Sequence, residues 1–229
     1  MDRKTVVIGT RGSMLALAQA GEVIAALRLA FPETEFMIKA IRTSGDMLKT
    51  PLGAGHSARG IFVKEIEEEL AKGRCDIAVH SLKDMPTEQP RGLIIAAVTK
   101  RADPFDVLIS RNGEELLDLP QGARLGTSSP RRAALILAIR PDMTIVPMRG
   151  NVETRIRKMN DGACEAIVLA AAGLNRLGMK GYKTQRLTPP FFLPAPGQGC
   201  LALETRDGDA GAVNIAGMLN HPPSYACVM

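Results

Sequence analysis

Aromatic residues are scarce in this sequence of 229 residues, which contains no tryptophan, two tyrosines and six phenylalanines. Long apolar runs are missing as well, since none approaches the roughly 18 to 20 residues of a membrane-spanning helix. After Asp2, Arg3 and Lys4 comes a short apolar run without a cleavage site, so no secretory signal is visible. We therefore expect a soluble, cytoplasmic protein that does not bind membranes. Its 45% apolar content excludes disorder of the whole chain.

Cysteine is also rare, and its spacing carries little information. Cys75, Cys164, Cys200 and Cys227 form no CxxC pair and no pattern typical of metal ligands. No P-loop or GxGxxG motif follows a predicted strand, so nothing points directly to nucleotide binding. We expect four reduced thiols that are small buried or half-buried residues, with Cys75 and Cys200 at strand starts, and no metal site.

Positive charge is concentrated in one part of the chain, although the net charge is only +5. Residues 124–158 contain eight cationic side chains, seven of them arginine, and only two acidic ones. Arginine grips carboxylates and phosphates with two parallel hydrogen bonds. No aromatic residue lies between Phe105 and Tyr182, so stacked nucleic-acid bases would find no platform. This window favours a small polyanion over nucleic acid.

Predicted strands and helices alternate along the chain, which indicates an α/β protein. The predicted strands cover residues 5–9, 36–41, 76–80, 93–98, 106–110, 144–148, 166–170 and 200–204. The predicted helices cover 14–30, 61–72, 133–139, 152–160, the alanine-rich stretch up to Gly178, and 210–220. We expect two lobes with mixed, largely parallel sheets, polar loops at their strand ends, and a ligand cleft between the lobes. No internal repeat is visible in the sequence.

The stretch Thr127-Ser128-Ser129-Pro130-Arg131-Arg132 offers hydroxyl groups, free backbone N–H groups and two cations at a predicted helix start. Because Arg131 and Arg132 are adjacent on a helix, we expect them to point apart and reach two different anionic groups. A well-capped helix with two solvated arginines is the structural alternative.

A second stretch, residues 80–86, places Lys83 and Asp84 just after an apolar strand. Such a carboxylate can stabilise a cationic centre or move a proton. The alternative is a turn before Pro86 in which Asp84 caps a backbone group. His80 is interpreted as a core histidine, and the charged residues of 64–69 as a solvated helix face.

Together these stretches resemble the porphobilinogen deaminase (hydroxymethylbilane synthase) family over essentially the whole chain and in family order. The matching stretches are residues 9–13, 43–46, 62–65, 76–86, 126–132, 149–155, 170–174 and 196–199. The resemblance implies two periplasmic-binding-protein-like domains, at 1–100 plus 199–220 and at 104–195. It also implies an enzyme that joins four porphobilinogen molecules into hydroxymethylbilane, with loss of ammonia, on a dipyrromethane cofactor.

The resemblance also implies the roles of individual residues. Asp84 would face the pyrrole nitrogens as the catalytic carboxylate, and Phe62 would pack near the incoming ring. The residues implied to bind the carboxylates of substrate and cofactor are Arg11, Ser13, Ser81, Lys83, Thr127, Ser128, Ser129, Arg131, Arg132, Arg149, Gly150, Arg155, Gln198 and Gly199. The partners implied are porphobilinogen and oligopyrroles, bound by a monomer.

The sequence departs from the family pattern in two places. The family carries its cofactor cysteine in a third domain with a Gly-Gly-Cys context, which none of the four cysteines has. We expect residues 221–229 to begin that domain, cofactor attachment to be absent from this chain, and turnover by the chain alone to be slight. An expression boundary, a proteolytic product and a separately encoded piece all stay open as the reason. Residues 53–59 also lack a lysine that is usual in the family. A non-catalytic two-lobed binding protein for a small polyanion is the alternative function.

Overall fold

The computed structural model describes residues 4–47 and 62–229. The 53–59 stretch, which lacks a lysine usual in the family, lies outside the described residues. The chain divides into two compact units, Met1–Ala102 with Cys200–Met229, and Asp103–Gly199. No helix in the described part of the chain has the length and apolar character needed to cross a membrane.

The first unit is a five-stranded sheet flanked by helices, with strand order β2-β1-β3-β10-β4. Its strands are β1 (Thr5–Arg11), β2 (Glu35–Ile41), β3 (Ile77–Ser81), β4 (Leu93–Val98) and β10 (Leu201–Arg206). Its helices are α1 (Met14–Ala30), α2 (Ser44–Met47), α3 (Lys64–Ala71), α7 (Ala210–Gly217) and α8 (Pro222–Val228), and a 3₁₀ turn covers Leu82–Asp84. β10 pairs antiparallel with both its neighbours, so the other four strands run in one direction and end at one edge.

The second unit has the same construction, with strand order β7-β6-β8-β5-β9. Its strands are β5 (Asp106–Ser110), β6 (Arg124–Gly126), β7 (Thr144–Val146), β8 (Ala166–Ala170) and β9 (Thr184–Leu187). Its helices are α4 (Pro130–Ile139), α5 (Val152–Asn160) and α6 (Ala171–Arg176). Here β5 is the reversed strand between β8 and β9. The predicted mixed, largely parallel α/β class is confirmed for both units.

The two units repeat each other in detail, although no repeat is visible in the sequence. In the first unit an acidic residue follows Cys75, and its carboxylate accepts a hydrogen bond of 2.8 Å from the Val7 amide. In the second, Glu165 follows Cys164 and accepts one of 2.8 Å from the Arg124 amide. The same local contact, made by an acidic side chain in both cases, therefore helps to build both units.

The same repeat includes a close approach of a strand glycine to a cysteine. A Cβ atom on Gly9 would lie 2.7 Å from the Cys75 sulfur, and one on Gly126 would lie 2.9 Å from the Cys164 sulfur. Arg206 donates 2.7 Å to the Cys75 carbonyl, and Arg111 donates 2.8 Å to that of Cys164. These contacts fix the parallel pairs β1–β3 and β6–β8 in each unit.

Four elements are absent from the sequence-based prediction, namely α2, β6, β9 and α8. β9 forms an edge strand of the second unit, although only one of its four residues is buried. The predicted first domain stops at residue 220, whereas in the structure α8 belongs to the first unit. Tyr225 and Val228 of α8 pack on a cluster that contains Leu82 and Cys200. Burial of these apolar groups accounts for the placement of α8.

Candidate active site

The carboxyl ends of β1 and β3 carry the predicted site residues of the first unit. Arg11 is the last residue of β1, and its guanidinium lies over the Phe62 ring, 4.2 Å from the ring centre. Ser13 caps α1 and accepts a hydrogen bond of 3.3 Å from the Ala16 amide. These contacts hold a cation, an aromatic face and a helix start together at one strand end.

The turn after β3 presents Lys83 and Asp84. Ser81 ends the strand, and its hydroxyl accepts a hydrogen bond of 2.8 Å from the Gln19 amide group. Leu82 is buried and donates its backbone N–H to the Cys200 carbonyl at 3.1 Å, which anchors the turn to the sheet. Lys83 is exposed and Asp84 half-buried. Within residues 4–47 and 62–229 no side chain pairs with the Asp84 carboxylate.

Hydroxyl groups at the end of β6 organise the corresponding edge of the second unit. The Thr127 hydroxyl accepts a hydrogen bond of 3.1 Å from the Ser129 amide. Ser128 bonds both the carbonyl (3.1 Å) and the amide (3.0 Å) of Met148, and so ties β6 to the end of β7. Ser129 caps α4, with Pro130 at its first position.

Arg131 and Arg132 do not point apart, so that prediction is wrong. Both guanidinium groups bind the carboxylate of Asp106, at 2.7 Å from Arg131 and 2.6 Å from Arg132. Gln198 also donates to this carboxylate, at 3.1 Å, and to the Pro104 carbonyl at 2.7 Å. Asp106 begins the reversed strand β5 beside the start of α4, and this position draws the three side chains together.

Arg131 and Arg132 differ in how accessible they are. The Arg132 side chain is only 8% exposed and donates to the Val168 carbonyl as well, whereas Arg131 is 27% exposed. Burial acts to raise the pKa of Asp106, but the charges and hydrogen bonds of the two arginines hold it below its usual range. The carboxylate is therefore ionised and largely neutralised inside the unit.

The loop after β7 places two more cations at the same edge. Gly150 has a positive φ of 115°, and a Cβ there would lie 2.7 Å from Thr154, so only glycine suits this position. Its carbonyl accepts a hydrogen bond of 2.7 Å from Arg155, which shapes the loop. Arg149 is half-buried, and its guanidinium forms no hydrogen bond within the described part of the chain. Gly199 has a φ of 95°, and its carbonyl accepts from Arg176 at 3.3 Å.

Each unit thus collects cations, hydroxyl groups and backbone N–H groups where its parallel strands end, an arrangement that suits a carboxylate-bearing ligand. The described residues include no group of three or more His, Cys, Asp or Glu side chains able to hold a metal ion. Asp84 is the acidic group among the predicted site residues.

Two buried features were missed in the sequence. Asp106 looks like an ordinary strand start, and only its pairing with distant arginines reveals its role. On α3, the predicted solvated face is wrong for Glu65 and Glu67. Glu65 accepts a hydrogen bond of 2.8 Å from the Ser44 amide, and one oxygen of Glu67 is buried. His80 is a core histidine, as predicted, and contacts the buried Glu204.

Comparison with solved structures supports the fold. The chain is similar to an arginine-specific periplasmic binding protein of Salmonella typhimurium, with a TM-score of 0.52 and 12% identity over 99% of this chain and 97% of that one. It is also similar to the effector-binding domain of BenM, with a TM-score of 0.56 and 15% identity over 94% and 90% of the two chains. At these identities the likeness concerns the fold alone.

Comparison with curated sequences and family models is more specific. Porphobilinogen deaminase of Thermus thermophilus is 53% identical over 222 residues, which make up 97% of this chain and 72% of that protein. That of Desulforudis audaxviator is 50% identical over 99% of this chain and 73% of that protein. The family model described as the dipyrromethane cofactor binding domain of porphobilinogen deaminase matches residues 6–214. On these matches the chain belongs to the porphobilinogen deaminase family.

Proposed function

We propose that this chain catalyses the porphobilinogen deaminase reaction, in which four porphobilinogen molecules are joined head to tail with release of ammonia. Porphobilinogen deaminases are transferases of tetrapyrrole biosynthesis, and dipyrromethane is the family cofactor. In each step the aminomethyl C–N bond breaks, a C–C bond forms to the next pyrrole, and the attacked ring carbon loses a proton. Positive charge develops on the pyrrole as ammonia leaves, so the reaction needs a fixed negative charge nearby.

The observation that carries this proposal is the Asp84 carboxylate in the turn after β3. It is half-buried, and no cation among the described residues neutralises it, in contrast to Asp106. A preorganised carboxylate in a site shielded from water contributes on the order of a hundredfold in rate. A protein that only bound polycarboxylates would gain nothing from an acidic group at this position, so the geometry favours the enzyme over a binding protein.

The cations and hydroxyl groups at the strand ends fit the acetate and propionate side chains of substrate and cofactor. In the first unit Arg11, Ser13, Ser81 and Lys83 serve this purpose, with Phe62 beside them. In the second unit the dipyrromethane carboxylates would be held by the hydroxyl groups of 127–129 and by Arg131, Arg149 and Arg155. The cofactor, when bound, supplies the pyrrole to which the first substrate is joined. Buried Arg132 acts through Asp106 in positioning Arg131.

None of the four cysteines is proposed to attach the cofactor. Cys75, Cys164 and Cys200 are buried, and Cys227 is exposed on α8. Burial raises the pKa of the Cys75 thiol to about 11, and it also raises that of Cys164. The intact mass of the chain after incubation with porphobilinogen tests this assignment. Added dipyrromethane that disappears in Cys227→Ser would overturn it.

The test of the catalytic role compares Asp84→Asn with Glu88→Gln, an exposed carboxylate in the same loop. Ammonia release is measured for the chain alone and for the chain extended by the part of the Thermus thermophilus relative that it does not match. We expect Asp84→Asn to bind porphobilinogen in calorimetry within a few-fold of wild type and to lose on the order of a hundredfold in turnover. Turnover of Asp84→Asn equal to that of Glu88→Gln would refute the role of Asp84.

The test of carboxylate binding compares Arg149→Gln with Arg157→Gln on the exposed side of α5. We expect Arg149→Gln to weaken porphobilinogen binding roughly tenfold, because a charge-assisted hydrogen bond is lost. Equal effects of the two substitutions would place the ligand elsewhere.

A further inference from the structure

A cluster of three ionisable side chains, two of them buried and one half-buried, lies between α3 and the sheet of the first unit. His80 on β3 places its Nε2 3.2 Å from Oε2 of Glu204 on β10, and these side chains are 3% and 0% exposed. Glu67 on α3 faces the same pair, whose charges act on it. One oxygen of Glu67 and one of Glu204 are buried without a hydrogen-bond partner among the described residues. Such groups are costly to bury, so their presence calls for an explanation.

The second unit shows that the fold itself does not need these groups. In the first unit Leu201 on β10 pairs with Ser81 on β3. In the second unit Asp106 on β5 pairs with Ala170 on β8 in the same way. Counted from these pairs, the residue of the second unit that corresponds to His80 is Leu169. The residue that corresponds to Glu204 is Ile109. Glu67 precedes Cys75 by as many residues as Ile156 precedes Cys164, and so corresponds to Ile156.

All three counterparts belong to one apolar cluster of the second unit. The same architecture is therefore stable with leucine and isoleucine where the first unit has a histidine and two glutamates. Replacing buried ionic groups by packed apolar ones is often neutral or stabilising. The cluster of Glu67, His80 and Glu204 therefore serves a purpose other than building the sheet.

The cluster is joined directly to both segments that carry the site of the first unit. His80 is followed by Ser81 and the turn with Lys83 and Asp84. Glu67 donates its backbone N–H to the Val63 carbonyl at 3.0 Å, and Val63 follows Phe62, whose ring lies against Arg11. A shift of α3 against β3 would therefore move these groups relative to Asp84.

Glu67 is the member of this cluster whose charge we expect to change with pH. Burial raises the pKa of Glu67, the charge of Glu204 raises it further, and His80 opposes them. The other charged residues on the strands that pack against α3 are Arg11 on β1 and Arg206 on β10, and Arg206 binds Asp76 and Asp209. Lys39 on β2 and Arg74 pair with Glu69 of α3. The remaining charged residues lie on α3 itself or just after it: Lys64, Glu65, Glu68 and Lys72.

The stability of the first unit depends on whether Glu67 carries a proton. When Glu67 loses its proton, a second negative charge faces Glu204 in the interior. Because the folded state binds this proton more tightly than the unfolded state, stability falls as pH rises from the usual glutamate value to the raised one. The contact between α3 and the sheet is thus tightest when Glu67 is neutral.

We propose that Glu67, His80 and Glu204 are positioning residues for the reaction, and that protonation of Glu67 sets how α3 and the turn at 81–84 present Arg11 and Asp84 to the pyrrole. The proposal rests on the proposed function for its ligand. It predicts that the site of the first unit tightens and loosens with the proton on Glu67, which itself touches no substrate.

The experiment follows the backbone amides of residues 81–84 by NMR across pH in the ligand-free chain. Asp84→Asn is added to wild type and to every variant, because the Asp84 carboxylate lies in this segment and would itself move the signals. We expect these signals to titrate with one midpoint in wild type, to be flat in Glu67→Gln, and to keep the midpoint in Glu68→Gln, an exposed residue of the same helix. The triple variant Glu67→Ile, His80→Leu, Glu204→Ile gives the first unit the apolar residues that the second unit has at these three positions. We expect it to be at least as stable as wild type and equally flat, so the test survives if Glu67→Gln folds poorly.

Porphobilinogen affinity by calorimetry over the same pH range is the second readout. We expect wild-type affinity to fall roughly fivefold or more across the midpoint, and the affinity of Glu67→Gln to stay constant. A midpoint at residues 81–84 that persists in Glu67→Gln and in the triple variant would overturn the positioning role, as would its absence from wild type. If wild type binds no porphobilinogen at any pH, the proposed function fails, and the NMR titration alone then decides the positioning role.

Discussion

The Asp106 carboxylate is a fully buried charged group of the second unit that binds two arginines, and Asp106→Asn tests its role. Asp106 is fully buried, and it accepts hydrogen bonds from Arg131, Arg132 and Gln198. Asparagine has nearly the same shape, but it lacks the charge and offers one oxygen where the arginines use two. Arg132, with 8% of its side chain exposed, would be left as a buried cation without its counterion.

The expected magnitude follows from that burial. Removing one partner of a buried ion pair costs about 3–5 kcal/mol, because the remaining charge stays out of water. Since the pKa of Asp106 is lowered on folding, its contribution to stability is present above the usual aspartate pKa and is lost as pH falls through the folded value. The difference between wild type and Asp106→Asn is therefore constant near neutral pH and shrinks in acid, below about pH 4.

Urea unfolding followed by circular dichroism gives the stability change, and hydrogen exchange with mass spectrometry locates it. We expect faster exchange in peptides of β5, α4 and β8 and no change in the first unit. The matched control is Asp103→Asn, since Asp103 pairs with Arg186 at 3.1 Å but at the surface. That control is expected to cost about 0–1 kcal/mol. If Asp106→Asn is no more costly than Asp103→Asn, the assignment of Asp106 as the anchor of both arginines is wrong.

Further predictions concern packing, capping and thiol chemistry. Gly9→Ala places a methyl group 2.7 Å from the Cys75 sulfur and should destabilise the chain by about 1–3 kcal/mol in urea unfolding. Most of this loss should be recovered in the double variant Gly9→Ala/Cys75→Ala, and a double variant as unstable as Gly9→Ala would contradict the contact. Ser129→Ala removes the hydrogen bond to the Arg132 amide and should cost about 1 kcal/mol in thermal unfolding, whereas an unchanged midpoint would mean that the cap is unimportant. With a thiol reagent at neutral pH, Cys227 should react rapidly in the native chain and Cys75 only after unfolding; rapid labelling of Cys75 would contradict its burial.

Local signals in the sequence predict the features that depend on local chemistry. Ser13 and Ser129 each precede an apolar helical run, and both cap their helices. Pro130 occupies the first turn of α4, where its missing N–H costs nothing. The α/β class follows from alternating strands and helices, and the matching motifs point to the family.

Features that depend on distant pairing could not be predicted in this way. The expectation for Arg131 and Arg132 treated the helix alone, and a helix separates adjacent side chains. A buried carboxylate at the start of β5, more than twenty residues earlier in the chain, draws both guanidinium groups to one point. Glu67 belongs to a run of charged residues that looks solvated, and only the packing of α3 on the sheet buries one of its oxygens. β9 has a single buried residue and therefore lacks the alternation that reveals a strand.

The repeated architecture turns such differences into an argument about function. Where both units need the same contact, they use the same chemistry: an acidic side chain accepts from a strand amide, and an arginine donates to a cysteine carbonyl. Where the units differ, a position that has a buried charged residue in one unit has an apolar residue in the other. Asp106 corresponds to Leu201, and His80 corresponds to Leu169. The fold accepts an apolar residue at both positions, so it does not itself require the charged ones. In the second unit Asp106 holds Arg131 in place. In the first unit, by our proposal, His80 helps to position the turn that bears Asp84.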